Sequence, residues 1–583
     1  MLRKSCDILI IGGGGAALYA ALHAHDANPD LHVVVASKGL FGKSGCTRMV
    51  QGGYNVVLHP EDSFDMHFDD TLRGGGLLND QELAWTLVTQ APERIFELEN
   101  RYGCFFDRLE DGSIHQRALA GQSFDRTVHR GDLTGIELMS RLSEQILLRD
   151  IEVLNEVRGV DLLLADDGRT VCGALLRDFY SGELTILRAK SVLLATGGAA
   201  PLYSITAASL EKSGDGIAMA FRAGAELVDM EMMQFHPTGL IAGDSVMTGT
   251  VLEEGLRGAG GHLLNALGER YMERYDPEKM ERSTRDRVSR SSFLEIRAGR
   301  GTMNDGVLLD VRHLGKEFLL KSSPGMYKRC LSVGYDMAFD PIEVTPTAHF
   351  QMGGIRVDAD CRTNLQGLFA AGEDAGGVHG ANRLGGNGVA ESMVFGAIAG
   401  DTMASFVGEV SPAEPDADWT GAAVRRFAVS SKGNGVNPFD LREQLGEVTW
   451  QHLGIIRSSE SLAKVAQALT EIEAQLDDLT VTGPPAANHL LDQKLDIENL
   501  LCVARLIRVA ASMRRESRGS HYREDFPDRD DNHFLVNFHL RRDRDGEPQV
   551  ESRAVRFSRR TPDDLEGETI IARNTAQQRP AKA

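Results

Sequence analysis

Residues 6–17 read CDILIIGGGGAA, an apolar run that stops at four consecutive glycines. An alanine-rich stretch follows, and a second apolar run spans His32 to Val35. The order is therefore strand, glycine turn, helix and strand, with the spacing G-x-G-x-x-A from Gly12 to Ala17. This pattern is typical of a dinucleotide-binding domain, because the helix N-terminus behind the turn can hold a pyrophosphate.

The end of the second strand carries Ser37 and Lys38, where an NAD-binding domain needs an acidic residue for the ribose. Lys38 suits a phosphate or a flavin better than NAD. Two further apolar runs end in glycines, at residues 191–198 and 367–373. Their wide separation predicts one nucleotide-binding domain that is interrupted by an inserted domain acting as a lid.

The composition excludes several classes of protein. The 583 residues include 63 Lys and Arg against 84 Asp and Glu, a formal charge of −21, which argues against nucleic-acid binding. The seven cysteines form no C-x-x-C pair, so we expect no metal site, no iron–sulfur cluster and no disulfide scaffold. We find no secretory signal and no apolar run of about 18 residues, and we expect a soluble protein of a reducing compartment.

The C-terminal third changes character after about residue 410. Leucine and isoleucine recur at three- and four-residue steps between Ala422 and Met513, which predicts a helical scaffold. A mixed-charge run then spans residues 514–531. We interpret this run as a solvated, salt-bridged surface, with a docking edge for a partner protein as the alternative.

Six motifs occur in order along the chain: Gln51-Gly52-Gly53, Gln234 to Gly239, Glu254 to Gly258, Thr284-Arg285-Asp286, Thr347 to Gly354 and His379 to Gly385. Together they resemble the flavoprotein subunit of succinate dehydrogenase and fumarate reductase, a superfamily that also contains L-aspartate oxidase. The resemblance covers nearly the whole chain and implies an FAD-dependent enzyme that interconverts succinate and fumarate by hydride transfer at the flavin N5.

The resemblance also implies an α/β fold with four parts. We predict a discontinuous Rossmann-like FAD-binding domain (1–236 and 349–410), an α+β capping domain (237–348), a helical domain (411–520) and a C-terminal domain (521–583). FAD would contact Gly12, Gly14, Ala17, Ser37, Lys38, Ser44, Gln51, Gly52, Asp215, Glu373, Asn387, Gly388 and Val389.

A C4 dicarboxylate needs cationic and hydrogen-bonding groups at both ends, and arginine meets a carboxylate with two parallel hydrogen bonds. The resemblance assigns substrate binding to His236, His349, Arg383, Gln122 and Thr238. It assigns the proton donor to Arg285, an improbable acid on its ordinary pKa. Glu254 and Arg257 are three residues apart and would share a helix face, from which they could resupply the proton.

One position departs from the family. Membrane-bound members carry a histidine a few residues before Gln-Gly-Gly that is joined covalently to the flavin, and Cys46 stands there instead. We therefore expect non-covalent FAD, with a cysteinyl link as the alternative. Loss of the covalent bond usually lowers the flavin potential and would favour fumarate reduction, so the direction of the reaction stays open.

Two other functions are weighed. L-aspartate oxidase has a glutamate, where this chain has Leu119, that can pair with the substrate ammonium, and a buried ammonium facing leucine would lack a counter-charge. Gln122 also favours the dehydrogenase, whereas the Cys46 region favours the oxidase. A flavin-binding protein without catalysis would have no use for so many buried charges.

The resemblance further implies an iron–sulfur partner subunit, with a membrane quinone anchor as an optional third component, and a cytoplasmic location, either free or peripheral on the membrane.

Overall fold

The computed structural model describes residues 1–427, 435–476 and 478–565. The strands, β1 to β21 in chain order, are Leu2–Ile11, Val33–Ser37, Tyr54–Asn55, Gln116–Arg117, Thr127–Val128, Glu152–Asn155, Val157–Leu164, Val171–Asp178, Leu184–Leu194, Leu227–Val228, Met233–Leu240, His262–Leu264, Val307–Asp310, Ile342–Gln351, Gly354–Arg356, Leu368–Ala370, Ala375–Gly376, Ile456–Arg457, Tyr522–Arg523, Val536–Arg542 and Pro548–Ala554.

The α-helices, α1 to α17, are Gly15–Ala27, Phe64–Gly74, Gln81–Asn100, Thr134–Leu147, Asp215–Ala223, Glu254–Gly258, Met272–Tyr275, Arg285–Glu295, Lys316–Ser322, Pro324–Ser332, Asn387–Glu409, Ala417–Arg426, Pro438–Leu453, Ser459–Ala474, His489–Met513, Asp531–Phe534 and Pro562–Leu565. The chain therefore mixes α and β elements throughout, which confirms the predicted α/β class.

The main sheet contains the predicted strand, turn and helix. Its parallel strands run in the order β6, β2, β1, β9, and β16 pairs with the far end of β9 through Leu368 opposite Val192. Strands β8 and β7 extend the sheet in antiparallel fashion. The three apolar runs that end in glycine thus lie side by side as β1, β9 and β16. Their carboxyl ends meet at one edge, where ligands bind in sheets of this kind.

The inserted segment builds a second sheet, in the antiparallel order β11, β14, β13, β12. It packs on its own hydrophobic core, which includes Leu240, Leu263, Val307 and Val344. Strands β11 and β14 lead into and out of this segment, and the predicted boundaries at 236 and 348 fall inside them. The two regions are therefore joined by a pair of hydrogen-bonded strands.

A third sheet attaches the C-terminal region to the nucleotide-binding region. Its order is β17, β15, β10, β20, β21, and Leu227 of β10 lies opposite Leu540 of β20. The hairpin of β20 and β21 therefore completes a sheet begun more than 300 residues earlier. The predicted C-terminal domain, 521–583, extends beyond residue 565, and its last part lies outside the described residues.

The predicted helical scaffold consists of α13, α14 and α15, which pack on one another. Each helix begins at a side-chain cap, on Asn437, Ser458 and Asn488 respectively. Asp496 of α15 reaches the nucleotide-binding region, where its carboxylate lies 2.7 Å from the Lys38 ammonium. The helical region therefore supports one end of the site described below.

The interpretation of residues 514–531 as a solvated surface is wrong for the first half of that run. Arg514 and Glu516 are fully buried, and Arg518 is nearly so. The Arg514 Nε donates to Glu231 Oε1 at 2.6 Å, and its guanidinium also lies 3.1 Å from Glu516. These charges can be buried because they pair with one another and with Glu231, which lies 283 residues earlier in the chain. Residues 524–529 are exposed, as that interpretation expects.

All seven cysteine thiols are free. Among the described residues, no cluster of histidine, cysteine and acidic side chains has the arrangement of a metal site. Within the same residues, no helix combines the length and the apolar composition needed to cross a membrane.

Candidate active site

One long cavity of about 550 Å³ joins the two regions. At one end it is lined by the glycine turn after β1 and by the end of β2. At the other end the lining side chains come from both the nucleotide-binding region and the inserted segment: His236, Glu254, Arg285, His349 and Arg383. The shape suits a long ligand whose reactive end lies under the inserted segment.

The glycine turn fits a dinucleotide. Gly12 has φ of +138°, and a Cβ there would lie 2.1 Å from the carbonyl oxygen of Ala195, the residue that follows β9. Only glycine permits this crossing of the two strands. Helix α1 starts at Gly15, whose N–H donates to Thr47 Oγ1 at 3.0 Å, and its N-cap Gly14 has no side chain that could cap the first turn. Residues 13–16 border the cavity, where N–H groups at the start of the helix can donate hydrogen bonds to a pyrophosphate.

Lys38 is held by carboxylates. Its ammonium donates to Ser213 Oγ at 2.8 Å, to Asp215 Oδ2 at 3.0 Å and to Asp496 Oδ1 at 2.7 Å. Arg158 also pairs with Asp215 at 2.6 Å. Burial raises the pKa of Asp215, but Arg158 and Lys38 outweigh burial and lower it. Because two carboxylates already compensate Lys38, its charge is only partly available to a phosphate.

Most of the predicted cofactor residues border the cavity: Gly12, Gly14, Ser37, Lys38, Ser44, Gln51, Gly52, Asp215, Glu373, Gly388 and Val389. Two do not. Ala17 is fully buried in the hydrophobic core beneath the turn. The Asn387 amide is committed to Asn55, His67 and Thr71, so it braces the start of α11 from behind the cavity wall.

At the substrate end, His236 and His349 lie on β11 and β14, with ring centroids 5.4 Å apart. Burial, and next the charge of Arg285, hold the pKa of both histidines well below the usual range, so both rings are neutral. The backbone N–H of Thr238 donates to Nδ1 of His236 at 3.3 Å. Nε2 of His236 therefore carries the proton and can donate to a ligand.

Arg383 lies in the loop before α11 and is 6% exposed. Its guanidinium carbon lies 4.3 Å from the centre of the Phe350 ring, and Nη2 donates to Gln234 Oε1 at 3.2 Å. Burial, followed by Arg285, lowers the pKa of Arg383. Among the described residues Arg383 pairs with no carboxylate, so this cation is free to meet an anionic ligand.

Arg285 and Glu254 form a tight pair in the inserted segment. Nε and Nη2 of Arg285 lie 2.8 and 2.7 Å from Glu254 Oε2. The other carboxylate oxygen, Glu254 Oε1, accepts from the Ala120 N–H at 3.1 Å and lies 3.7 Å from Arg257 Nη2. Burial raises the pKa of Glu254, but Arg285 and Arg257 outweigh burial and lower it. Glu254 thus stands between the two arginines.

Three predicted site residues lie behind the cavity wall. Arg257 touches Glu254 and donates to the carbonyl of Glu281 at 2.6 Å. Thr238 donates to the carbonyl of Leu252 at 2.7 Å and orients His236. Gln122 donates from Nε2 to the carbonyl of Gly385 at 2.9 Å. The prediction of direct substrate contacts for Thr238 and Gln122 therefore finds no support in the cavity lining.

Sequence reasoning missed Glu253. This carboxylate is 4% exposed, lines the cavity and forms an ion pair with Arg117. A Cβ at Gly52 would lie 3.9 Å from both Glu253 Oε1 and the Leu119 side chain, so a carboxylate and Leu119 border the same space. The expectation that a ligand ammonium beside Leu119 meets no counter-charge did not take this carboxylate into account. The sequence feature that could have indicated this residue is the pair of consecutive acids at 253–254.

Cys46 lines the cavity at the turn that precedes Gln51. Its Sγ accepts from the Ser209 N–H at 3.3 Å. Burial raises the pKa of the thiol, although the neighbouring Lys212 acts in the opposite direction. The thiol is therefore protonated near neutral pH and is a weak nucleophile.

Comparisons with known proteins agree with this geometry. The family model for an FAD binding domain matches residues 7–389, and the model for the fumarate reductase flavoprotein C-term matches residues 442–565. A fumarate reductase (CoM/CoB) chain from Methanothermobacter marburgensis is 44% identical over 531 residues, which cover 90% of this chain and 95% of that protein. The 8-methylmenaquinol:fumarate reductase flavoprotein subunit of Wolinella succinogenes is 40% identical, covering 93% and 89%.

A solved structure of E. coli quinol fumarate reductase superposes with a TM-score of 0.91, at 34% identity, covering 96% of this chain and 98% of that one. The chain belongs to the fumarate reductase flavoprotein family. The resemblance and the fold predicted from the sequence motifs are confirmed, and FAD is the cofactor of the family's binding domain.

Proposed function

We propose that this protein is the catalytic flavoprotein subunit of an enzyme that interconverts succinate and fumarate. One observation carries the proposal. A single cavity connects the dinucleotide-binding turn to an end where two guanidiniums, of Arg285 and Arg383, converge with two neutral histidines and two carboxyl groups. That set matches a C4 dicarboxylate, which needs charge-assisted hydrogen bonds at both ends.

His236, His349 and Arg383 would bind the substrate carboxylates. Both histidines are neutral and would each donate a hydrogen bond to the substrate without adding charge. Arg383 supplies the cation for a substrate carboxylate. Its guanidinium donates a long hydrogen bond to the neutral Gln234 amide oxygen, which does not compensate its charge. Thr238 and Gln122 would act by orienting His236 and the Gly385 backbone.

Bound FAD would supply the acceptor or donor of the hydride. The matching proton would pass through Arg285, whose Nη2 contacts Glu254 Oε2. Glu254 would then exchange that proton with Arg257 across the 3.7 Å separation at its other oxygen. All three residues are buried, which keeps water from exchanging protons directly with the substrate.

The ionised partners in this relay explain how an arginine could act as an acid. A guanidinium gives up a proton only if the resulting neutral form is short-lived. The Glu254 carboxylate lies in hydrogen-bond contact with Arg285, and it can pass a proton to Arg285 after taking one from Arg257 at its other oxygen. This connection supports the predicted role of Arg285 over that of a static ion pair.

L-aspartate oxidation is the alternative. Glu253 gives a substrate ammonium a candidate partner, but that ammonium would compete with Arg117, which pairs with the same carboxylate. The curated relatives cited above are named as parts of fumarate reductases. Both observations favour the dicarboxylate without an amino group.

We propose that FAD is bound without a covalent link. The protonated Cys46 thiol supports this assignment, because a thiolate would be needed to attack the flavin. Acid precipitation of the holoprotein should release the flavin into the supernatant. The Cys46→Ala variant should retain FAD at the wild-type ratio, and flavin that stays with the precipitate would favour the cysteinyl link.

Electrons must reach or leave this chain through another molecule, since the described residues contain no cluster-binding site. We propose that the partner is an iron–sulfur subunit, which a membrane quinone anchor could join. The relatives are named as subunits of larger enzymes, which supports a partner. A cytoplasmic protein held peripherally on the membrane by its partners fits this assembly.

The test is an anaerobic titration of the oxidised holoprotein, with the flavin absorbance as the readout. Succinate should bleach the flavin and fumarate should restore it, while L-aspartate should have no effect. Bleaching by aspartate, with peroxide formed in air, would establish the oxidase instead. Absence of any spectral change with either dicarboxylate would contradict the proposed function.

A further inference from the structure

The role of Glu253 is not explained by the relay or by the substrate clamps. Its carboxylate is almost completely buried, immediately precedes Glu254 and faces the cavity. Its backbone N–H points at the Met326 sulfur, so helix α10 closes the site behind it. A buried acid on the wall of an anion-binding cavity is costly unless it has a function or a full complement of partners.

In the described chain, the only cation that forms an ion pair with Glu253 is Arg117, and Arg117 also donates to backbone carbonyls. Arg117 donates from Nε to the carbonyl of Gly52 at 3.2 Å, and from Nη2 to the carbonyls of Gln51 and Gly52 at 3.0 and 2.5 Å. The same Nη2 contacts Glu253 Oε1. Arg117 therefore holds the turn at 51–52 and Glu253 together, and only part of its hydrogen-bonding capacity serves the carboxylate.

The charged groups that face Glu253 come from several elements. They are Arg117 on β4, Asp132 before α4, Glu254 on α6 and Arg285 on α8, and Arg329 of α10 lines the same cavity. Burial raises the pKa of Glu253, Asp132 and Glu254 add to the rise, and Arg117 and Arg285 oppose it. The net direction is upward, so the Glu253 carboxyl protonates more readily than an ordinary glutamate.

An anion that enters this cavity brings negative charge next to Glu253. By linkage, the anion makes protonation of Glu253 more favourable, and protonation of Glu253 makes the anion bind more tightly by the same factor. A protonated carboxyl also offers an O–H that can donate to a substrate oxygen. The ionised carboxylate offers only repulsion to a substrate carboxylate.

Resting on the proposed function, we propose that Glu253 is a specificity-determining residue that takes up one proton when a dianionic dicarboxylate binds, and then donates it as a hydrogen bond to a substrate carboxylate. The proton comes from solvent and returns there when the ligand leaves. It is separate from the proton that Arg285 transfers during turnover.

The test measures fumarate binding to the oxidised holoprotein, where fumarate cannot react, from the change in flavin absorbance between about pH 5 and about pH 9. In the wild type, the Kd should rise with pH by up to about tenfold per unit over part of this range. In Glu253→Gln, which keeps the shape and a hydrogen-bond donor but cannot titrate, the Kd should change by less than about twofold per unit.

Two matched variants complete the design. Glu211→Gln removes an exposed carboxylate that lines another part of the same cavity, and it should keep the wild-type slope. Glu253→Asp keeps a titratable group and should retain a pH-dependent Kd, which preserves the test if Glu253→Gln fails to fold. Calorimetry in two buffers of different ionisation enthalpy should show uptake of up to one proton in the wild type and none in Glu253→Gln.

A flat wild-type profile, or an equal slope in Glu253→Gln, would overturn the inference, since the proton would then go to a histidine, to Glu254 or to no group at all. These results differ from a failure of the proposed function. In that case fumarate would perturb neither the flavin absorbance nor the heat signal at any pH.

Discussion

Replacing Arg285 by lysine tests the proton relay while it keeps the positive charge. Arg285 makes two side-chain hydrogen bonds, from Nε to Glu254 Oε2 at 2.8 Å and from Nη1 to Gln234 Oε1 at 3.1 Å. Its Nη2 also forms an ion pair with Glu254 Oε2 at 2.7 Å. A lysine ammonium is a shorter-reaching point donor and cannot reproduce this planar arrangement. The lysine of the variant cannot contact both Glu254 and the substrate, so one of these two contacts should be lost. The positive charge at this position is kept.

The magnitude follows from the role. A positioned general acid contributes about 10² to 10⁴ in rate, which corresponds to about 3 to 5 kcal/mol of transition-state stabilisation. Arg285→Lys should lower kcat for fumarate reduction by that factor. The Kd for fumarate should change by less than about fivefold, because the charge in the cavity is retained and Arg383 is untouched.

The assay follows reoxidation of the dithionite-reduced flavin by fumarate in a stopped-flow instrument, with Kd measured separately on the oxidised protein. Arg287→Lys is the matched control, since Arg287 lies on the same helix, is half exposed and pairs with Asp276 away from the cavity. A rate for Arg285→Lys within about tenfold of the wild type would refute the assignment of Arg285 as the proton donor.

Two further predictions concern stability. Arg514→Ala removes the partner of the buried Glu231 and Glu516 carboxylates and should lower the free energy of unfolding by about 3 to 5 kcal/mol in a denaturant titration, whereas the exposed Arg529→Ala should cost less than about 0.5 kcal/mol. Burial, followed by Glu231, raises the pKa of Asp229 to about 7, so its folded form holds a proton that the unfolded chain has already lost. The stabilisation by this proton is complete below about pH 4 and is lost as the pH rises towards 7. Asp229→Asn cannot titrate, so its free energy of unfolding should fall less than that of the wild type between these pH values. An unchanged pH profile in this variant would contradict the raised pKa of Asp229.

The parts of the fold that local sequence determines could be predicted. The strand, turn and helix at residues 6–27 follow from apolar runs around glycines, and the geometry at Gly12 shows why the glycine is required. The face shared by Glu254 and Arg257 follows from three-residue spacing on α6. Helices α13 to α15 follow from leucine periodicity.

The parts that depend on distant partners could not be predicted in this way. Arg514 looks like a surface residue beside other charges, and only the fold brings Glu231, 283 residues away, into contact with it. Lys38 looks available to a phosphate until Asp496, 458 residues away, is placed against it. Glu253 looks like one more acid in an acidic protein, since its burial is set by α10 and by Arg117.

Gln234 connects the two halves of the active site and explains how two guanidinium groups are held close together there. Its amide oxygen accepts from Arg285 of the inserted segment and from Arg383 of the nucleotide-binding region. Its Nε2 donates to the carbonyl of Arg383 at 2.8 Å. One neutral amide thus holds two guanidiniums in the same buried cavity, and their repulsion is part of what lowers the pKa of Arg383. A dianionic ligand would relieve that repulsion on binding, because its carboxylates would bring negative charge between the two guanidiniums.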